Sequence, residues 1–428
     1  MTGSRVGSGS GRLPGPSEGS NHLAMRILFL TGHLPFPPVS GGRRRENEIL
    51  HRLAPKAEVE ICAVSKTFDE DLSNAELLSP PARSVAVFRA AGDGLPADRF
   101  DGSPTPPQVA RHASAEASRH VAEAVGRVDL VHVEGFYLMQ HLPDETQIPI
   151  VLVEQNVEYA LFRQRAAAAR TRALRRSRLL DYARTLLAET KAWERADVVG
   201  ALTTEDRERM LASAPELRIQ LVPNGIDRSR ATDEPVVVPD VPQGTKVVMV
   251  ANFGYLPNVD AALHLVRDVM PLVWRTLPEV KVVLVGNAPP AEIRALARDR
   301  VIVTGRVPAV DPYLDSATVV ACPLRVGGGV KVKVLEALAR GKAIVATPVG
   351  VEGIAGAASA LRIASGAPAF ARALSDLLTD GLARAELEMA AKSLAERFPT
   401  WDEAVEELWY AYRSALELGE QRLAAAGS

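Results

Sequence analysis

The stretch CPLRVGGGVKVKVLEALARGKAIVATPVGVEGI, residues 322–354, decides the fold and the site. A triple glycine, two lysines and a glutamate on a helical pattern stand here between two apolar, strand-like runs. Consecutive glycines let the backbone approach an anion closely, and the helix that follows offers unpaired N–H groups and a positive dipole end. The candidate residues are Gly327, Gly328, Gly329, Lys331, Lys333 and Glu336. The segment therefore predicts a site for a phosphorylated ligand, at a spacing that is neither GxxxxGK[ST] nor GxGxxG.

Around this segment the chain alternates between short apolar runs and helical patterns. The runs are continuous in Val, Ile and Leu, which is typical of parallel strands covered by helices on both faces. Strands are predicted at 25–33, 59–65, 84–90, 128–135, 148–156, 196–203 and 218–225, and then at 246–253, 280–287, 300–306, 318–324, 342–349 and 360–364. We therefore expect an α/β protein with two doubly wound parallel-sheet domains that resemble the Rossmann fold.

Length and composition agree with two domains. A chain of 428 residues, 47% apolar and 24% charged, has the composition of a globular protein and exceeds one ordinary core. The predicted division is a disordered Gly/Ser/Pro-rich tail at 1–24, a first domain at 25–222, a Pro/Asp/Gly-rich linker at 223–245, a second domain at 246–398 and a C-terminal helix at 399–428. We expect that helix to pack back on an earlier domain, because its apolar residues share one face.

Charge and cysteine usage narrow the class of partner and the compartment. The formal net charge of −2 gives no overall attraction to nucleic acid, so no nucleic-acid partner is expected. No apolar run approaches the ~18 residues that a membrane span needs. Cys62 and Cys322 lie in apolar runs, where buried free thiols are expected, and this predicts a cytoplasmic protein.

Polar residues and glycines follow many of the predicted strands. Two facing α/β domains form a cleft, and ligands bind beyond the carboxyl ends of parallel strands. Candidates at these ends are Gly41, Gly42, Glu134 and Asn156 in the first half, and Asn252, Gly254, Asn258 and Gly286 in the second. Arg45 beside the first glycine pair, Arg325 beside the triple glycine and His132 inside VHVEG complete the set. His132 is either a core residue or a functional one, and Asn156 either orders a ligand or caps a helix.

Four segments resemble the family 4 glycosyltransferases of GT-B fold. They are SGGRRRE at 40–46, VPNGID at 222–227, VANFGYLPNVDA at 250–261 and the glycine-rich stretch from 323 to 354. The resemblance covers nearly the whole chain from Met25. It implies transfer of a sugar from a nucleotide-diphosphate donor with retention of configuration, and it implies no required metal or other cofactor. The donor belongs to the C-terminal domain, and the acceptor belongs mainly to the N-terminal one.

The resemblance also implies roles for single residues. Glu336 matches the second carboxylate of the family's E-x7-E pattern and should accept hydrogen bonds from the donor ribose, whereas Gly328 stands at the first position. Many relatives carry a basic pair after the first strand of the donor domain, and NFGYLPNVD at 252–260 lacks it. Arg325, Lys331 or Lys333 must then neutralise the diphosphate, and we favour Lys333. The expected catalytic set is Gly328, Lys333, Glu336 and His132.

The remaining candidates divide between the two domains. Donor binding is expected from Asn252, Gly254, Asn258, Gly286, Arg325, Gly327, Gly329 and Lys331. The acceptor and diphosphate loop is expected from Gly41, Gly42, Arg45, Glu134 and Asn156. Because no residue stands out as a nucleophile, we expect a front-face reaction in which the leaving phosphate helps to deprotonate the acceptor.

An arginine-rich stretch, RQRAAAARTRALRRSR at 163–178, holds seven arginines and no acid. Arginine-rich helices attach to anionic lipid surfaces, which predicts a peripheral contact with the inner face of the membrane. Its many alanines favour the other interpretations, a solvated helix or a site for an anionic acceptor.

The acceptor and the activity are open at this point. A glycan, a lipid-linked sugar and a small natural product all remain as acceptors. A GT-B epimerase or phosphorylase is one alternative activity, and a non-catalytic sugar- or nucleotide-binding protein is another, since Gly328 replaces a carboxylate.

Overall fold

A computed structural model describes residues 25–95, 104–169, 171–228, 241 and 243–426. Within these ranges the predicted fold class is confirmed, because the chain forms two separate parallel sheets, each flanked by helices. Each predicted strand overlaps an observed one, with ends that differ by a few residues. The predicted tail at 1–24 and residues 229–240 of the predicted linker lie outside the described residues.

The first sheet has seven parallel strands in the order β3-β2-β1-β4-β5-β6-β7. Its strands are β1 Met25–Thr31, β2 Ala57–Ser65, β3 Ser84–Arg89, β4 Leu130–Glu134, β5 Ile150–Glu154, β6 Val198–Ala201 and β7 Ile219–Leu221. Alternate residues of β1 enter opposite cores, with Ile27 and Phe29 on one face and Leu28 and Leu30 on the other. Burial on both faces explains why this strand is apolar throughout.

Helices cover both faces of the first sheet. They are α1 Gly41–Leu53, α2 Phe68–Asn74, α3 Pro107–Arg111, α4 Ala115–Ala124, α5 Glu158–Ala167, α6 Arg172–Arg195 and α7 Thr204–Ser213, with 3-10 turns at Ala75–Leu78 and Phe136–His141. Helix α1 begins with a side-chain cap, since the Ser40 hydroxyl accepts the backbone N–H of Arg43. The cap fixes the start of α1 beside the end of β1.

The second sheet has six parallel strands in the order β10-β9-β8-β11-β12-β13. They are β8 Lys246–Val250, β9 Lys281–Val285, β10 Val301–Gly305, β11 Val319–Cys322, β12 Ile344–Ala346 and β13 Arg362–Ile363. The helices are α8 Leu256–His264, α9 Met270–Val273, α10 Ala291–Arg294, α11 Asp311–Asp315, α12 Val332–Ala339, α13 Ala357–Ala360, α14 Ala367–Thr379 and α15 Gly381–Ala395, with a π turn at Leu265–Val269 and a 3-10 turn at Val349–Val351.

The last helix, α16 Trp401–Ala426, returns to the first domain. Val405, Leu408 and Tyr412 of this helix are buried in the same apolar cluster as Ile27 and Phe29. Both cysteines, Cys62 and Cys322, are buried and unpaired. Among the described residues, the helices fall short of the length and apolar character needed to cross a bilayer.

The carboxyl ends of the two sheets face each other across a cleft. In each sheet the chain order reverses direction beside the first strand, between β1 and β4 and between β8 and β11, and open α/β sheets bind ligands at such points. In the described part of the chain, three ion pairs join the domains: Arg44 to Glu336 at 3.0 Å, Arg209 to Glu352 at 3.2 Å and Arg306 to Glu70 at 3.7 Å.

Candidate active site

The triple glycine forms the loop between β11 and α12. Gly329 has a φ of 64°, and a Cβ at this position would lie 2.2 Å from Oδ1 of Asn156 in the other domain. Both the backbone conformation and the close approach therefore require glycine. The Lys331 ammonium donates to the carbonyl oxygen of Gly328 at 3.1 Å and to that of Gly329. Lys331 thus stabilises the loop from within.

Lys333 and Glu336 lie on α12, which starts only at Val332. Lys331 therefore precedes the helix, and the two lysines contact different groups. The Lys333 ammonium donates to Oδ1 of Asn258 at 2.8 Å, and the Asn258 amide donates to the carbonyl oxygen of Asn252 at 2.8 Å. Burial lowers the pKa of Lys333. The contact with Asn258 anchors this lysine to the segment that follows β8.

Glu336 meets an arginine from the opposite domain. Nε of Arg44 lies 3.0 Å from Oε1 of Glu336, and Nη2 of the same guanidinium lies 3.0 Å from Oδ2 of Asp227. The Glu336 side chain is 17% exposed. Burial raises its pKa, and the charge of Arg44 acts in the opposite direction. One carboxylate at the cleft is thus paired across the domain boundary.

These elements enclose a cleft cavity of about 590 Å³. Nine of the predicted residues line it: Gly41, Asn252, Asn258, Gly286, Gly327, Gly328, Lys331, Lys333 and Glu336. At Gly286 a Cβ would lie 1.6 Å from the carbonyl oxygen of Ala251, so only glycine lets β8 and β9 end side by side there. The volume is within the range of small-molecule sites.

Other predicted residues do not line this cavity. The Arg325 side chain is 47% exposed and pairs with Asp260. The Gly254 amide donates to Oδ1 of Asn252 at 3.0 Å and belongs to the turn after β8. Gly42 packs against the Gln155 side chain, since a Cβ there would lie 2.7 Å from Oε1 of Gln155. Asn156 and Gly329 touch each other at the edge of the cleft.

His132 and Glu134 belong to a buried network in the first domain. Nε2 of His132 lies 2.9 Å from Oε1 of Glu134, and Nδ1 of the same ring lies 2.9 Å from the Tyr412 hydroxyl. The Gln155 amide donates to Oε2 of Glu134 at 3.0 Å and to Oε1 of Glu46 at 2.8 Å. Burial raises the pKa of Glu134, but the hydrogen bond and charge of His132 outweigh it, and the net pKa is lowered. The structure therefore places His132 in the core, bonded to α16, and not at the cleft.

Arg45 is buried beneath the connection between the domains. Its guanidinium donates to the carbonyl oxygens of Val222 and Pro223 and to Oδ1 of Asn224, at 2.9 to 3.1 Å. Burial lowers its pKa, with Glu134 acting against that effect. These bonds hold the end of the first domain in place, so the structure gives Arg45 a bracing position away from the cleft cavity.

Sequence reasoning missed Arg44, although the signal was present. Arg44 is three residues after Gly41, and residues three apart on a helix share a face. Gly41 lies against the donor-side helix, because a Cβ there would be 3.3 Å from Val332. Of the three consecutive arginines, the middle one is therefore the one directed at the second domain.

Other residues around the cavity were not predicted from the strand ends. Arg306 directly follows β10 and lines the cavity. The apolar segment 36–39, which we call the apolar lip, precedes α1 and also lines the cavity. The missed lining residues include Phe36, Pro37, Pro38, Val39, Tyr255, Arg306, Val307, Pro308, Ala309 and Val310. Arg306 obeys the rule that located the other candidates. The apolar lip carries no polar signal in the sequence.

The whole fold matches solved GT-B proteins. Sucrose-phosphate synthase of Thermosynechococcus elongatus superposes with a TM-score of 0.69 at 17% identity, covering 92% of this chain and 100% of that one. HepE of Anabaena, in complex with UDP and glucose, gives 0.63 at 15% identity over 91% and 100% of the two chains. A glycosyltransferase from Rickettsia africae gives 0.60 at 13% identity over 92% and 99%. At these identities the likeness shows the fold, which is GT-B.

A family model adds evidence from the sequence. Residues 244–380 match the model of the group 1 glycosyl transferases, and the match falls on the second domain. This region holds the triple glycine, Lys333 and Glu336. No curated protein matches the chain significantly. The family match and the GT-B fold together support a glycosyltransferase.

Proposed function

We propose that this protein transfers a sugar from a nucleotide-diphosphate sugar to an acceptor hydroxyl with retention of configuration. One observation carries the proposal. A single cleft cavity brings together the glycine loop, the half-buried lysine Lys333 and the carboxylate Glu336, and the cavity spans two α/β domains. These are the groups that a diphosphate joined to a ribose requires. HepE, a protein of the same fold, is described in complex with UDP and glucose.

Glu336 would hold the ribose. Its Oε1 faces Arg44, and a carboxylate has further lone pairs with which to accept hydroxyl protons. Hydrogen bonds to a charged group are typically worth ~1.5 to 3 kcal/mol. Arg44 would act as a positioning residue, because it orients the carboxylate from the opposite domain and so links closure of the cleft to a correctly placed Glu336.

Lys333 and the loop amides would stabilise the departing nucleotide. Charge develops on the leaving phosphate in the transition state, and a fixed cation in a largely dry site stabilises it without reorganisation. Lys331 donates to loop carbonyls and would keep the glycine amides in place. These groups replace the basic pair that the segment after β8 lacks, and the proposal therefore requires no metal or other cofactor.

The acceptor would be activated on the same face of the sugar as the leaving group. Gly328 provides no carboxylate under the sugar, and the His132 ring is engaged by Glu134 and Tyr412. In the proposed front-face reaction, the leaving phosphate oxygen takes the acceptor proton as the new glycosidic bond forms. Accordingly, no covalent glycosyl-enzyme should be trapped.

The acceptor would enter beside the apolar lip at 36–39. This lip and Gly41 form the first-domain side of the cavity. The acceptor class remains a sugar, a lipid-linked sugar or a small molecule. The buried, unpaired thiols of Cys62 and Cys322 agree with the proposed cytoplasmic location.

The proposal is tested by a thermal-shift panel of UDP, GDP, ADP, CDP and TDP sugars. Wild type is compared with Glu336→Ala and with Glu352→Ala, a control carboxylate that also pairs between the domains. A ligand at 100 times its dissociation constant stabilises by ~2.7 kcal/mol. We expect one donor to stabilise the wild type and Glu352→Ala but not Glu336→Ala. A wild type that responds to no nucleotide sugar contradicts the proposal.

Product assays separate the alternative functions. A phosphorylase forms or degrades product with orthophosphate and glycan alone, and an epimerase converts the donor sugar without an acceptor. A non-catalytic binding protein binds the donor in calorimetry and shows neither transfer nor slow donor hydrolysis. The proposed transferase consumes donor in proportion to glycosylated acceptor, and the addition of EDTA leaves the rate unchanged.

A further inference from the structure

The long helix α6 of the first domain buries polar side chains beside the apolar Ala192 and Trp193, and it exposes leucines. Its inward residues Asp181, Thr185 and Glu189 are fully buried. Its outward residues include Leu180, 54% exposed, and Leu187, 66% exposed. A helix that only packs on its own domain places apolar residues inward and polar ones outward. The exposed leucines of α6 therefore need an explanation outside the domain.

Glu189 explains part of the buried polar side of α6, whereas the side-chain oxygens of Asp181 and Thr185 make no hydrogen bond within the described part of the chain. The two carboxylate oxygens of Glu189 accept the backbone N–H groups of Glu158 and Tyr159 at 2.8 and 2.9 Å, which fixes the start of α5. Asp181 lies 3.6 Å from Arg178 and 4.0 Å from Arg184 on the same helix. The Glu189 contacts and the buried Trp193 ring thus hold the orientation of α6.

The outer face of α6 combines apolar side chains with positive charge. Three leucines on this face are exposed: Leu179, Leu180 and Leu187, at 45, 54 and 66%. The exposed cations of the α5 and α6 hairpin are Arg163, Arg172, Arg175, Arg176 and Lys191. Within the described part of 163–194, Glu194 is the sole exposed acid, because Asp181 and Glu189 are buried. Exposed leucines flanked by uncompensated cations are typical of helices that lie on anionic lipid.

We propose that the outer face of α6, with the adjoining arginine of α5, docks on an anionic lipid surface. Charge complementarity selects this occupant, because each basic residue near such a surface gains attraction and the leucines can enter the headgroup boundary. The exposed leucines that follow the arginine-rich stretch 163–178 supply the apolar area that its alanines lack.

The position of the hairpin connects docking to the cleft. Leu161 of α5 packs beside the triple glycine, with its Cδ1 3.6 Å from the position of a Cβ at Gly328. The hairpin that carries the docking face therefore also contacts the glycine loop. Under the proposed function this position suits an acceptor carried by a lipid, whereas docking itself does not depend on the transferase activity.

Docking is tested by sedimentation of the full chain with vesicles. One set is phosphatidylcholine alone, and the other is phosphatidylcholine mixed with phosphatidylglycerol. We expect binding only to the anionic vesicles. Replacing Arg172, Arg175 and Arg176 with Gln should lower the partition coefficient roughly 100-fold, and Leu180→Gln with Leu187→Gln roughly tenfold. These side chains are exposed, so circular dichroism and the melting temperature should stay at wild-type values.

Matched controls use exposed residues elsewhere on the surface. One control variant replaces Arg207, Arg372 and Arg397 with Gln and so removes the same charge. The other combines Leu382→Gln with Leu423→Gln, which removes leucines that are 81 and 59% exposed. Both controls should bind anionic vesicles like wild type.

Three results overturn the proposal. The first is equal affinity for both vesicle types, or no binding to either, and the second is a loss of vesicle binding in the control variants as large as in the α6 variants. The third is a dimer in light scattering that the α6 leucine variant abolishes, without any vesicle binding. The last result makes a second copy of the chain the occupant. Vesicle binding without any donor response would leave docking standing while the proposed function fails.

Discussion

The two walls of the cleft are built by the same kind of sheet, but their polar side chains are used differently. On the C-terminal wall, Glu336 and the glycine loop face the cavity. On the N-terminal wall, the polar groups near the strand ends bond mainly to each other, as His132, Glu134 and Gln155 do. Arg44 is the N-terminal residue that reaches the carboxylate of the opposite wall.

The difference shows that a polar residue after a strand is necessary for a site but does not define one. A buried polar group that already has its hydrogen bonds gains little by turning to a ligand, and it loses those bonds if it does. We therefore propose donor chemistry for the C-terminal wall and a bracing role for the inner network of the N-terminal wall. Four substitutions test this division.

Lys333→Met should have the largest effect on turnover. The substitution removes the cation that we place at the leaving phosphate, and losing one such donor typically lowers kcat roughly 100- to 1,000-fold. Lys342→Met is the control, because burial also lowers the pKa of Lys342, but its ammonium donates to the Asp315 carbonyl oxygen at 2.9 Å. Steady-state kinetics with saturating donor measures the effect. Similar losses in both variants would remove the role given to Lys333.

Gly329→Ala should disrupt the donor wall through its backbone. The added methyl group meets Asn156 at 2.2 Å, and a φ of 64° strains any residue with a Cβ. The control Gly94→Ala has a φ of 68° with open space around the methyl position, so it isolates the backbone strain of ~1 to 2 kcal/mol. We expect Gly329→Ala to cost a further ~1 to 3 kcal/mol in denaturant unfolding and to weaken donor binding. Equal costs would show that the contact between the walls is not tight.

Arg44→Gln should weaken donor binding moderately and change its dependence on pH. A partly exposed ion pair is worth up to about 1 kcal/mol, so affinity should fall about fivefold. Burial already raises the pKa of Glu336, and removing the charge of Arg44 raises it further. Binding by the ionised carboxylate is lost as pH falls through this pKa, and the loss should therefore begin at a higher pH in the variant.

The control for Arg44 is Arg209→Gln, which removes another ion pair between the domains. Calorimetric titrations with donor at several pH values should give Arg209→Gln the same pH dependence of donor binding as the wild type. If donor binding is lost over the same acidic pH range in wild type and Arg44→Gln, Arg44 does not act on Glu336.

His132→Gln should have the smallest effect on turnover. Its ring bonds to Glu134 and Tyr412, and replacing it disturbs a buried network worth ~1 to 3 kcal/mol of stability. We expect a lower melting temperature with nearly unchanged kcat at a temperature where both proteins are folded. A large loss of kcat at unchanged stability would move His132 into the catalytic machinery.

Most of the fold was predictable from the sequence, because a strand buried on both faces must be apolar throughout. The runs at 246–253 and 280–287 show this pattern, and they become β8 and β9. The donor wall was predictable for a related reason. Gly286 and Gly329 sit where backbone approaches backbone or side chain, and such positions exclude every residue with a Cβ.

The N-terminal wall could not be predicted in the same way. The partner of His132 is Tyr412, which lies 280 positions later in the chain. No local pattern indicates that α16 returns to this strand and engages the ring. Arg45 likewise looks like Arg44 in the sequence. Only the start and rotation of α1 direct Arg45 to the connection between the domains and Arg44 to Glu336.

The central claim is that Glu336 holds the ribose of a nucleotide donor in the cleft. Calorimetry should compare a ribonucleotide sugar with its 2′,3′-dideoxyribose analogue on wild type and on Glu336→Gln. We predict that wild type binds the ribose form more tightly, by the ~1.5 to 3 kcal/mol of hydrogen bonds to a charged group, and that the preference disappears in the variant. A preference of the same size in both proteins would contradict the account.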